Sequence, residues 1–105
     1  MMEPAQISIR RGSLFLKRGD CERHFGGLEA VILLRDQADL LILPVRHAAA
    51  GSYILKLRNS DGDRVVTAAD FFRSNGIDDG ENRELAAVWD ESRAALRATA
   101  VFCGN

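Results

Sequence analysis

Apolar and polar positions alternate at Ile7 and Ile9, break at Arg10–Ser13, and resume at Leu14–Leu16. This pattern predicts two strands joined by a turn at Gly12-Ser13. Cys21–Phe25 has room for one helical turn, closed by Gly26-Gly27, where glycine can supply the positive φ of a chain reversal. Two aliphatic runs follow, Glu29–Leu34 and Leu40–Val45, around the polar connection Arg35–Asp39. They predict a hairpin whose nearly continuous apolar character points to burial on both faces. Pro44 cannot donate to a ladder and belongs at an edge or a strand end.

After the small-residue stretch His47–Gly51, Tyr53–Leu57 alternates again. It meets the turn signal Asn59–Asp63 and returns through Arg64–Thr67. Thr67 followed by Asp70 suits a capped helix start, Phe71 and Phe72 supply its apolar side, and Asn75-Gly76 stops it with Ile77 closing the last turn. One short helix over Ala68–Ser74 is expected. For 84–98 two readings compete. Leu85, Val88, Trp89, Ser92, Leu96 and Thr99 keep helical spacing among alanines, which puts a helix first. A hairpin turning at Asp90-Glu91-Ser92 is the alternative. The fold class is therefore α+β, mainly β: a small sheet or barrel of hairpins with a short central helix and a C-terminal helix.

The 105 residues fit a single domain with a core that needs no disulfide staple, and the two cysteines, Cys21 and Cys103, do not form a disulfide framework. Met1–Gln6 lacks a signal-peptide pattern, and the longest apolar runs are too short to cross a bilayer. A cytoplasmic protein without a membrane partner is expected. The net charge of −1 argues against a dedicated nucleic-acid binder. The charge is uneven, however. Arg10, Arg11, Lys17, Arg18 and Arg23 gather early, while Asp78, Asp79, Glu81, Glu84, Asp90 and Glu91 gather late, a polarity that suits a solvated face or the alignment of subunits.

A weak internal repeat relates 11–45 to 62–101. Gly12, Asp20, Arg23 and Gly26 recur as Gly62, Asp70, Arg73 and Gly76 at one constant offset, each set reading glycine, strand, helical turn, glycine, hairpin. In this order of features, carried by Gly62–Val66, Asp70, Arg73 and Gly76-Ile77 and more loosely by 11–43, the chain resembles the AbrB/MraZ-like swapped-hairpin barrels. The resemblance covers about two-thirds of the chain. It implies a homodimer or larger ring and DNA binding through Arg64 and Arg73. Ala68 stands where that family often has proline, and Asn75 where it expects an apolar residue.

Cys21, His24, His47 and Cys103 are residue types that bind zinc, but they lack the paired short spacings of zinc signatures, so no metal is expected. Cys21 with a histidine would make a nucleophile and base, with no third residue in the sequence to orient them. Asp61-Gly62-Asp63 reads as a tight turn rather than a calcium loop. No nucleotide or hydrolase motif is present, and no cofactor is called for. Trp89, Phe71 and Phe72 read as core residues, with Trp89 also a candidate interface anchor. The leading expectation is a non-enzymatic binding or assembly module acting as a homodimer, with a further protein partner open. An AbrB-like DNA-binding regulator comes second, and a small enzyme using Cys21 and a histidine third.

Overall fold

The computed structural model describes residues 4–26 and 29–102. Strands β1 (Ala5–Arg10) and β2 (Ser13–Leu16) lead into helix α1 (Arg18–Phe25), then β3 (Ala30–Asp36) and β4 (Asp39–Val45). Short β5 (Tyr53–Ile54) and β6 (Lys56–Leu57) precede β7 (Arg64–Thr67), helix α2 (Ala69–Ser74), β8 (Asn82–Asp90) and β9 (Ala95–Ala98). All ladders are antiparallel, in the order β5-β3-β4-β9-β8-β1-β2-β7-β6. The first and last strands of that order are consecutive in the chain and separated by Leu55 alone, so the sheet curls into a nearly closed barrel whose two edges meet at one residue. Tyr53–Leu57, expected as one strand, is divided between the two edges: Ile54 pairs with Ala30, and Lys56 and Leu57 with Val65 and Arg64. One chain supplies both halves of this barrel.

Strand, helix, strand, strand occurs twice, as β2-α1-β3-β4 and β7-α2-β8-β9. The equivalent strands pair with each other, β2 with β7 and β4 with β9. Within β2–β7 the register couples Leu14 with Val66 and Leu16 with Arg64 about a central Phe15–Val65 pair, which is the symmetry of a local two-fold axis. Glycines fix the packing between the halves. The β1–β2 turn is Arg11-Gly12, one residue earlier than expected, with both residues at positive φ (51° and 74°) as a two-residue hairpin requires. A Cβ on Gly12 would lie 2.6 Å from the Cβ of Ala69, at the start of α2. The matching turn glycine, Gly62, lies against the Arg18 side chain at the start of α1. The two helices thus sit at opposite ends of the β2–β7 pair.

The segment expected to be a C-terminal helix is instead the hairpin β8–β9. Six residues of β8 pair with β1, from Asn82–Arg10 to Ala87–Ala5, a ladder that outweighs the helix preference of the alanines. The Asp90 carboxylate accepts from the Ser92 backbone N–H (3.0 Å) and hydroxyl (2.7 Å), a local bond that favours a turn over a helix. The short helix near Ala68–Ser74 forms as expected, and Ile77 N–H closes it on the Phe72 carbonyl at 2.9 Å behind Gly76 at φ +90°. Its Thr67/Asp70 capping pair does not form: Ala68 is the N-cap, and the Asp70 carboxylate accepts the Tyr53 hydroxyl instead. Gly26 has φ −53°, so it does not supply the expected positive φ, and Gly27 lies outside the described residues.

Inward residues of the strands (Ile7, Ile9, Leu14, Leu16, Leu33, Ile42 and Leu96 among them) form one buried cluster with Phe25, Phe72, Ile77 and Phe102. Burial on both faces holds for Leu40–Ile42 but not for β3, where Leu34 is 40% exposed. Pro44 lies beyond the stretch of β4 that pairs with β9, where its missing N–H costs nothing.

Candidate functional site

The α2 end of the barrel is filled by rings. Phe71 meets Phe72 edge-on at 5.4 Å and Phe102 at 6.0 Å, and the Arg35 guanidinium lies 5.1 Å from the Phe102 ring centre. The Phe102 N–H donates to the Ala38 carbonyl in the β3–β4 turn (2.9 Å), which locks the chain after β9 over this end.

The α1 end is built differently. Lys17 gives α1 no side-chain cap. The Asp63 carboxylate, from the β6–β7 turn, takes its place by accepting the Arg18 N–H at 2.9 Å. The same bond holds the Asp63 carboxyl below its usual range, with the Asn59 side-chain amide helping. Asn59 Oδ1 accepts from the N–H groups of Asp61 and Asp63 at 3.0 and 3.2 Å, which accounts for the Asp61–Asp63 turn. Asp20 is buried and accepts the Gln6 N–H (3.1 Å) and the Arg23 guanidinium. His24 stacks on Trp89 at 5.4 Å and 7° between planes. Burial, and then the neighbouring Arg23, lower the pKa of His24, so the neutral ring is the folded form.

A cavity of about 180 Å³ remains at this end, lined by Arg18, Cys21, Glu22, Phe25, Leu55 and Arg64. It shares Leu55 and Arg64 with a larger and more open depression of about 370 Å³ beside Glu29, Ala48 and Ile54. Burial pushes the Cys21 thiol up to about 11, so it is neutral near pH 7. Its sulfur makes no hydrogen bond to His24 or His47. The first histidine is turned onto Trp89, and the second lies in an exposed loop 3.9 Å from Glu29. The arrangement has no nucleophile–base contact. Cys103 lies outside the described residues, and among those described no three His, Cys, Asp or Glu side chains gather as a metal site.

The two arginines singled out by sequence are not brought together. Arg64 starts β7 and lines the cavity at the α1 end, whereas Arg73 is on α2, exposed and paired with Asp79 at 3.5 Å. Trp89 is partly buried against the core, and the outward neighbour on its strand is Val88, 48% exposed.

Sequence reading missed the outer face of β3-β4-β9-β8. The registers place Leu34, Leu41, Arg97 and Val88 in one row across it. Arg97 binds Asp39 (2.7 Å), Asp90 (2.9 Å) and Asp36 (3.1 Å) there, with Arg93 also on Asp36. The Ala100 N–H and Arg97 hold the Asp39 carboxyl below its usual range, and Ser92 and Arg97 do the same for Asp90. These five residues come from two separate hairpins, β3–β4 and β8–β9, so spacing carries no signal for their meeting. Among the described residues no helix is long and apolar enough to cross a membrane. Comparison with protein-family models, with curated proteins and with solved structures finds no match to this chain.

Proposed function

We propose that this chain is a non-enzymatic binding and assembly module that pairs with a second copy through the outer face of β3-β4-β9-β8. The observation that carries the reading is the paired row Leu34–Leu41–Arg97–Val88, whose two ends, Leu34 and Val88, are large apolar side chains exposed on the outer face of the sheet. The occupant is a second copy because the face carries both signs of charge beside its exposed Leu34 and Val88, with Arg93 and Arg97 next to Asp36, Asp39 and Asp90. A two-fold interface sets a patch against itself, and a patch of this kind can satisfy itself. Trp89 lies one residue from Val88 and supports the strand from within. Sedimentation equilibrium tests the reading: a dimer at micromolar concentration is expected, with Leu34→Lys and Val88→Lys each shifting it to monomer. A wild-type chain that stays monomeric at high concentration, or lysine variants that dimerise as well as wild type, would reject it.

The repeated strand-helix-strand-strand order favours a second reading, the AbrB/MraZ-like DNA-binding regulator, with Arg64 and Arg73 as its carried-over residues. Binding to duplex DNA would then fall steeply with salt, and Arg64→Ala and Arg73→Ala would each weaken it. Duplex binding indifferent to both changes would reject those residues as the site.

A further inference from the structure

Symmetry between the halves makes one residue conspicuous. The position of Leu14 on β2, completely buried, is occupied fifty places later on β7 by Arg64. Arg64 pairs in register with the fully buried Leu16, so its side chain starts from the core face of the barrel. The residue is half-buried, and its side chain makes no hydrogen bond or ion pair with any described residue. The carboxylates around it are engaged elsewhere: Glu22 with Arg18 at 3.0 Å, Asp63 with the Arg18 N–H and Asn59, and Asp20 with Arg23 and the Gln6 N–H. No buried side-chain nitrogen or oxygen among the described residues lacks a hydrogen-bond partner, so the Arg64 guanidinium is reached by solvent at the cavity and can exchange that water for an anion.

We propose that the α1-end cavity binds a small monocarboxylate, with Arg64 as the carboxylate clamp and Cys21, Phe25 and Leu55 as the wall for a short apolar tail. Three features of the site define this ligand class. The planar fork of arginine matches a carboxylate through two parallel hydrogen bonds. One uncompensated cation balances one negative charge, while the nearby Glu22 and Asp63 disfavour a second charge on the ligand. The cavity's 180 Å³ corresponds to about six water molecules, which suits a carboxylate with a few carbons. The more open depression past Leu55 and Arg64 gives the ligand a route in from solvent. This site is separate from the outer sheet face and does not depend on self-association.

The test is a titration of the full chain with sodium butyrate at constant ionic strength, followed in ¹H–¹⁵N correlation spectra. Saturable shifts confined to the amides around Cys21, Phe25, Leu55 and Arg64 are expected, with a Kd on the order of 1 mM. Butyramide, which keeps the shape and loses the charge, should give none. Arg64→Leu, which copies the residue of the other half, should stay folded with a Tm at or above wild type and lose the response. Arg64→Lys should retain it several-fold weaker, and this variant decides the matter if the leucine variant does not fold. Absence of saturable shifts, an equal response from butyramide, or an unchanged response in Arg64→Leu would overturn the site. Tighter binding of inorganic phosphate than of butyrate would overturn the assignment to monocarboxylates.

Discussion

The two ends of this barrel are built on one plan and finished in opposite ways. At the α2 end Phe71, Phe72, Ile77 and Phe102 fill the space, and Phe72 and Phe102 are fully buried. At the α1 end the matching region holds Cys21, Arg18 and Arg64 around open volume, and its helix is capped from across the barrel by Asp63. The two halves share one order of elements and differ at these ends in the side chains they carry. Both ends bury a phenylalanine, Phe72 at one and Phe25 at the other, and the α1 end alone keeps open volume beside it.

The sharpest way to break that contrast is to empty the closed end. Phe72→Ala removes a fully buried ring and should cost about 3–5 kcal/mol in denaturant unfolding. Arg64→Leu at the open end should cost nothing measurable. A small loss from Phe72→Ala would mean that the closed end is not tightly packed. Next comes the thiol. With Cys21 raised to about 11 from an ordinary 9.0, its alkylation below pH 8 should run roughly 100-fold slower than in the unfolded chain. The measurement belongs in a Cys103→Ser background. Alkylation at the unfolded rate would show the cavity to be more open and more cationic than its geometry implies.

The turn glycines give a smaller, paired comparison. Both have positive φ, +74° at Gly12 and +93° at Gly62, so alanine at either should cost about 1 kcal/mol from backbone strain. At Gly12 the new Cβ also meets the Ala69 backbone at 2.7 Å, which adds overpacking of about 1–2 kcal/mol. At Gly62 it meets only the flexible Arg18 side chain. Equal losses in thermal unfolding would contradict the tighter closed end.

The smallest effect concerns His24. Its folded pKa lies below the ordinary 6.5, so the stabilisation from the neutral stacked ring is complete above 6.5 and is lost as pH falls through the folded value. Trp89 is the single tryptophan of the chain, and its emission should titrate with a midpoint below 6.5. His24→Gln should remove that step. A midpoint above 6.5 would reverse the sign and imply a carboxylate partner for the ring.

Features set by near neighbours were legible from the residues. The hairpins around 10–13 and 35–39, the short helix stopped by Asn75-Gly76, and the mainly β class all follow from alternation and turn chemistry, whereas the hairpin around 59–63 keeps only Lys56-Leu57, because Tyr53-Ile54 pair with β3. The segment 84–98 was misread, because alanine spacing satisfies a helix and a strand alike and only the β1 ladder chooses between them. Of the candidate site, Cys21 and Arg64 were visible as residues but not as neighbours. The Arg97 cluster left no trace in the spacing.

The sequence by itself determined where the chain turns and which residues want water excluded, because φ preference and apolarity are properties of a residue and its close neighbours. The tertiary structure alone decided that the edges meet at Leu55, that Asp63 caps a helix it does not precede, and that Arg64 faces a cavity where Leu14 fills a core. Each of these depends on a register between strands far apart in the chain. Register is selected by the summed fit of whole faces, and no local stretch of sequence contains that sum.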